Sequence, residues 1–409
     1  MRTQKMRSTI KCMTISNKKT VLHIAPTPFF SDRGCHIRIE GIVRCLNNLG
    51  YNNLICTYHN GREVNGVKTK RIGIIKTYTK TEAGPNKYKF WADLKLTCLS
   101  LKQYYQLKPS AIHAHLHEGL FIAIIIKTLF FWRKTPLIAD LQGSFTGELE
   151  TYNTFKKRPW LKALSLLFER STLYFANHIL CSSKHAYQQT KKLGKINSDN
   201  IDIVQDGADE KTILPAEKRQ SLKYKLGLED GKTIVVYSGA LLNGKGLQAL
   251  KETVQGLSKY QSSLHFLIIG YPVDDLEHFL KKQKISSFCT VVGRVNFDTL
   301  SDYLQLADIA IDPKRSDAGE ASGKIINYLS CGLPVVAFDT QNNRSFLGSD
   351  PILANNNTEL QGNILLYQKD INLRQKIALS SKKRFLQSFS WKTSQQHLQR
   401  VYAKIVNYS

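Results

Sequence analysis

This chain lacks most of the signals that would assign it quickly to a class. It has no CxxC pair and no cysteine spacing suited to a metal. Its eight cysteines are scattered, several of them in apolar stretches, as buried free thiols of a reducing compartment would be. Met1–Lys19 is basic and polar, without the apolar segment of a signal peptide, and reads as a loosely held tail. The longest apolar run, Gly119–Trp132, contains Lys127 and is too short to cross a bilayer, so it reads as a buried helix following a strand. A cytoplasmic chain, at most peripheral on the cytoplasmic face of a membrane, is the expectation. There is no short-period repeat, which excludes a solenoid, and no G-x-G-x-x-G, which excludes a dinucleotide fingerprint. No helix-turn-helix, zinc or single-strand-binding aromatic motif occurs, so nucleic acid is set aside as a partner. Acidic residues are scarce in the first half. Residues 1–200 carry 32 Lys+Arg against 11 Asp+Glu, and the remainder carries 26 against 21. Charge of this kind speaks to partners rather than fold, and an anionic membrane surface or a lipid-linked phosphate suits it. A merely solvated lysine-rich surface is the plain alternative.

What is present is a regular alternation of strands and helices over a length that fits two domains. Strands are expected at Val21–Ala25, Asn53–Tyr58, Arg71–Ile75, Ala111–His115, Pro136–Leu141, His178–Cys181 and Ile201–Val204. A second set is expected at Thr233–Ser238, His265–Gly270, Thr290–Val292, Ile309–Pro313 and Pro334–Phe338. Helical patterns intervene, among them Tyr88–Gln106 and Leu120–Phe130. The fold class is α/β, with two Rossmann-like, doubly wound parallel sheets facing across a cleft. The boundaries are a tail over 1–19, a first domain over 20–205, a second over 206–390, and a final helix over 391–409.

Several loops after strands carry chemistry. Between the strands at 309–313 and 334–338 a polar loop delivers Glu320, Ser322, Gly323 and Lys324 to a helix start, where free amides and the dipole make an anion site. Lys245, in the turn after the strand at 233–238 and beyond Gly239, stands at another helix start, where a cation is unfavourable unless it meets an anion. Arg33 and Gly34 follow the first strand in the same way, and Arg294 follows the strand at 290–292. Strand alternation sends His113, His115 and His117 to one face and Glu118 to the turn. Their spacing offers no separate fourth ligand, so His117 and Glu118 are assigned to the cleft and His113 and His115 to packing. Gln142 ends the next strand. Asp140 beside it reads equally as a cleft carboxylate or a buried turn anchor.

Six segments in order give this chain a resemblance to the family 4 glycosyltransferases, retaining enzymes of GT-B fold. They are VLHIAPTPFFSDRG, IHAHLHEG with IADLQGSFTGE, DGAD, VVYSGALLNGKGLQAL, the stretch from Val291 to Phe338, and the terminal FSW helix. The resemblance implies transfer of a hexose, with retention, from a UDP- or GDP-sugar to a glycan or lipid-linked acceptor, the last helix packing back on the first domain. It implies catalytic roles for Glu320, Lys245, His117 and Gln142. Donor contacts would come from Gly34, Gly239, Lys245, Arg294, Glu320, Ser322, Gly323, Lys324 and Asn327, and acceptor contacts from Arg33, Glu118 and Asp140. Ala240 stands where the family has an arginine, Asn327 where it has the second glutamate of E-x7-E, and Gln142 where it has a histidine. No Asp-x-Asp loop is present, so no metal and no further cofactor is expected, and lysines and helix dipoles would assist pyrophosphate departure. The rival readings are a sugar-nucleotide epimerase of the same fold and an inactive sugar-nucleotide or anionic-surface binder.

Overall fold

Apolar runs flanked by glycine-bearing turns form two fully parallel sheets in the computed structural model, which describes residues 19–81, 86, 88–151, 154–156, 158–315 and 323–406. The first sheet contains β1 (Thr20–Ala25), β2 (Asn52–Thr57), β3 (Thr69–Arg71), β4 (Ala111–His115), β5 (Leu137–Leu141), β6 (His178–Cys181) and β7 (Ile201–Ile203), in the order β3-β2-β1-β4-β5-β6-β7. The second contains β8 (Thr233–Ser238), β9 (Leu264–Ile269), β10 (Cys289–Gly293), β11 (Ile309–Asp312) and β12 (Val335–Ala337), in the order β10-β9-β8-β11-β12. Strands covered on both faces have no solvent side, so they read as continuous apolar runs rather than alternating ones. The strand order reverses between β1 and β4 and between β8 and β11, and ligands of open α/β sheets bind at such points.

The first domain adds α1 (Gly34–Asn48), α2 (Lys89–Leu107), α3 (Leu116–Leu129), α4 (Phe145–Thr151), α5 (Trp160–Leu173) and α6 (Lys184–Gly194). The rest of the chain adds α7 (Ala216–Lys225), α8 (Leu247–Leu257), α9 (Asp274–Lys282), α10 (Phe297–Leu304), α11 (Gly323–Ser330), α12 (Gln341–Leu347), α13 (Asn357–Lys369), α14 (Ile371–Arg384) and α15 (Trp391–Val406). One face of the first sheet buries Leu22, Ile24 and Ile112 against Leu96 of α2 and Leu120 of α3. The other buries Val21, Ala111 and Ile138 against Ile42 of α1 and against Trp391, Leu398 and Tyr402 of α15. The last helix thus lies on the first domain. Gly41 permits this: a Cβ there would sit 2.0 Å from the Trp391 ring.

The strand at β4 ends earlier than alternation implies. Leu116 takes a left-handed φ of 62° and turns the chain directly into α3, four residues before the expected start at Leu120. His117 and Glu118 are therefore residues of a first helical turn, and His117 does not continue the strand face of His113 and His115.

Candidate functional site

At the exit of β8 and β11 a half-buried lysine is held against a buried carboxylate. Lys324, second residue of α11, donates from Nζ to Asp312 Oδ1 at 3.0 Å and lies 4.8 Å from the centre of the Tyr237 ring. Burial works against its charge, and the neighbouring Asp312 carboxylate more than offsets this, raising its pKa above the ordinary lysine value. Its Nζ would stand 3.7 Å from a Cβ placed on Gly239, so the lysine reaches the strand-end turn as well as the helix start. The Lys245 turn is pressed onto the same exit. Gly246 has φ 95°, and a Cβ there would come within 2.6 Å of the Pro313 carbonyl oxygen. Lys245 closes a short turn at Asn243–Lys245, and α8 begins only at Leu247. Asn327 faces α10, beside Phe297, Leu300 and Leu304. Glu320 and Ser322 lie outside the described residues; Gly323 opens α11.

The loop after β1 approaches from the other domain. Asp32 Oδ1 accepts from Arg62 at 3.0 Å and from the Phe297 amide at 3.4 Å, and its other oxygen lies 4.0 Å from Arg294. Arg294 also lies over Tyr271, 5.1 Å from the ring centre. One carboxylate thereby brings Arg294 of the second domain to the loop that carries Arg33 and Gly34. A Cβ at Gly34 would meet no protein atom, so the protein's own packing does not demand glycine there.

A third cluster forms where β5 ends. Glu169 of α5 accepts from the Phe145 amide at 3.2 Å, the Thr146 amide at 3.1 Å and Ser144 Oγ at 3.1 Å, tying down the start of α4. His117 Nε2 lies 3.3 Å from the Gly143 carbonyl and 3.5 Å from Glu169. With Nε2 turned to these acceptors, Nδ1 is left on the other edge of the ring. That Nδ1, Gln142 Nε2 and Thr146 Oγ1 are all buried without a hydrogen-bond partner. Leaving such an atom unpaired costs about 1–3 kcal/mol, and a sugar hydroxyl both donates and accepts as these three require. Glu118 pairs with Lys89 at the rim; burial pushes its pKa up, Lys89 outweighs this, and the carboxyl stays below its usual range.

Of its two readings, cleft carboxylate and buried anchor, Asp140 is the buried anchor, with no exposed surface. Arg38 donates to it from Nε at 2.9 Å and Nη2 at 2.6 Å, and His115 Nδ1 lies 2.9 Å away. The same arginine donates to the Val204 carbonyl at 2.6 Å and to Asp206 at 2.7 Å, where the chain leaves the first domain. Burial would raise the Asp140 pKa, but Arg38 and then His115 drive it far below the ordinary range. His113, His115 and Asp140 are the one group among the described residues with donor atoms clustered as a metal would need. Asp140 is already committed to Arg38, His115 Nε2 to His23 at 3.0 Å, and His113 Nδ1 to Tyr402 at 2.7 Å. Sequence reasoning missed Arg38, Asp32, Glu169 and Asp312. Of these, only Asp312, a carboxylate closing an apolar strand at a switch point, left a readable signal.

Residues 232–367 match the family model described as glycosyl transferases group 1. The chain is 22% identical to sulfoquinovosyl transferase SQD2 of Arabidopsis thaliana over 324 residues, 78% of this chain and 59% of that protein, and so spans less than two thirds of that relative's length. In structure it is similar to sucrose-phosphate synthase from Thermosynechococcus elongatus, with TM-score 0.79 at 14% identity over 96% of this chain and 100% of that one. Anabaena HepE in complex with UDP and glucose is similar at TM-score 0.75 and 14% identity, over 94% and 100% of the two chains. The fold is GT-B, and its second half carries a glycosyl transferases group 1 domain.

Proposed function

We propose, from a GT-B fold with a glycosyl transferases group 1 domain as its second half, that this chain transfers a hexosyl group from a UDP- or GDP-sugar to a glycan or lipid-linked acceptor. Retention of the anomeric configuration and independence from metal follow from the resemblance to family 4. The observation that carries the reading is Lys324, kept charged by Asp312 at a helix start beside Gly239 and level with the Lys245 turn. Asp312 offsets the lysine's charge, and Lys324 together with the α11 amides offers positive partners to a bound diphosphate. As the bond from the anomeric carbon to the donor phosphate breaks, its electron pair passes to the diphosphate. Lys324, Lys245, Arg294 and the α11 amides offset that charge without reorganising. His117 Nδ1, Gln142 Nε2 and Thr146 Oγ1 are suited to hydroxyls of the transferred sugar or its acceptor. Glu320, Ser322 and Asn327 complete the donor contacts that the resemblance implies. The similarity to a structure holding UDP and glucose, and to a sulfoquinovosyl transferase, supports this choice of donor.

The test is a panel of radiolabelled UDP- and GDP-sugars with and without membrane extract. Acceptor-dependent incorporation of label is the expected result. Conversion of donor without acceptor would replace this reading with an epimerase, and nucleotide binding without turnover would leave a binder.

A further inference from the structure

Three neighbouring helices of the first domain turn apolar stripes outward: α2 and α3 cover the sheet with their other faces, and α5 packs beside α3 through Ser165, Glu169, Thr172 and Leu173. On α5 the outward stripe is Trp160, Leu164 and Leu167, at spacings of four and three, and Trp160 is 60% and Leu167 62% exposed. On α2 it is Phe90, Trp91 and Leu94, with Tyr105 three turns on, all exposed. On α3 it is Phe121 and Leu129, continued past the helix end by Phe131 at 79% and Trp132 at 62% exposure. The stripes are joined. Phe121 meets the Phe168 ring of α5 at 5.5 Å, and Phe130 links Tyr105 to Trp132 at 6.3 and 5.5 Å. Three of the chain's four tryptophans, Trp91, Trp132 and Trp160, lie on this one surface.

Charge on the same helices is sorted. Each of the three carries a single carboxylate, and each is turned to a partner in the protein: Asp93 to Tyr58, Glu118 to Lys89, and Glu169 to the α4 amides. The cations are left outside. Lys95, Lys102, Lys134 and Arg170 are exposed around the apolar stripes. Arg133 lies over the Tyr104, Tyr105 and Phe130 rings, 5.3–5.8 Å from their centres, between the two kinds of surface. An aromatic and aliphatic face edged by cations, whose own helices turn no carboxylate outward and beside which the exposed Glu150 of α4 is paired with Lys162, matches the interfacial region of a bilayer with anionic headgroups.

We propose that the outer face of α2, α3 and α5 is a membrane-docking surface, seated in the headgroup and upper acyl region of a bilayer that contains anionic phospholipid. Parallel β-α crossovers run all three helices the same way, so their N-terminal ends lie at the cleft. Lys89 and Glu118 stand there, next to Phe90 and one turn before Phe121. The docked face therefore borders the acceptor side of the site, where a lipid-borne acceptor would arrive. The surface itself does not depend on the proposed chemistry.

The test uses the full chain with phosphatidylcholine vesicles, with and without phosphatidylglycerol, and needs neither donor nor acceptor. Binding is expected to be at least about tenfold stronger on the anionic vesicles and to weaken with salt. Brominated lipid is expected to quench most of the tryptophan fluorescence, since only Trp391 is buried. Combined Trp160→Ser, Leu164→Ser and Leu167→Ser should weaken binding by about a hundredfold with only a small fall in melting temperature, because the side chains are mostly exposed and lose mainly apolar contact with lipid. If that variant folds poorly, Phe131→Ser with Trp132→Ser tests the same face. Equal binding of the variants and the parent, or no quenching, overturns the proposal. So does a parent dimer that the substitutions convert to monomer without any vesicle binding, since a second copy of the chain would then cover the face.

Discussion

Lys245 and Lys324 reach one strand exit but differ in what the protein asks of them. Lys245 is half-buried in a turn, whereas Lys324 compensates the buried Asp312. Lys245→Met should reduce donor turnover by about a hundredfold and cost less stability than the corresponding change at Lys324. Lys324→Met should reduce turnover too, and should also cost about 3–5 kcal/mol of stability by leaving Asp312 buried without its cation. Urea unfolding beside a donor assay separates the two, and a stability loss at Lys245 with turnover intact would move the donor site elsewhere. The stacked histidines make a different prediction. Burial, followed by the charge of His115, lowers His23 from 6.5 to about 3. A group whose folded pKa is depressed contributes stability that is present above pH 6.5 and lost as pH falls toward about 3. Between pH 6.5 and about pH 5 the loss from His23 should approach about 2 kcal/mol. Calorimetry across that range should find a shallower decline for His23→Gln than for the parent.

Elements were legible to different depths. Eleven of the twelve strands stand close to where apolar runs place them, because strands covered on both faces are built mainly from apolar residues. The third is displaced, Thr69–Arg71 instead of Arg71–Ile75: an edge strand of three residues carries little apolar signal. Helices α4, α6, α7, α12, α13 and α14 carry no comparable apolar periodicity. They are only partly covered, and four of them start instead at the side-chain caps Ser183, Thr340, Asn356 and Asp370. The start of α3 was misplaced because nothing in the residue type announces a left-handed leucine. At this scale Gly246 is the position to test. A side chain there would be strained at φ 95° and would press on the Pro313 carbonyl. Gly246→Ala should cost more than about 1 kcal/mol and raise the donor KM by displacing the Lys245 turn. A melting curve and a donor titration check both, and a stable variant with normal KM would detach the turn from the site.

The two halves are coupled by three devices far apart in sequence. Arg38 grips Asp140 and Asp206, Asp32 meets Phe297 and Arg294, and α15 returns from the second domain to lie on the first. Trp391 fills the space over Gly41 and Gly207. Trp391→Ala should cost about 3–5 kcal/mol and fall mainly on the first domain. Calorimetry should then resolve an early transition from a later one that nucleotide shifts upward. A single transition moved as a whole would mean that the domains unfold together.

Composition and periodicity were enough to determine a two-domain parallel α/β fold, the strand ends at which Gly239, Lys245 and Lys324 gather, and the basic bias of the first half. Those features are local: burial on both faces of a strand, a glycine in a turn and a count of charges are all written within a few residues. Tertiary structure alone decided the pairings. Asp140 could be read as cleft or core until Arg38, 102 residues away, was found against it. Likewise Lys324 is held charged by Asp312, and the outward apolar stripes are told from core only by what the neighbouring elements cover. Whether a charge is solvated or buried depends on what the rest of the chain brings to it, and its desolvation energy is set by that arrangement.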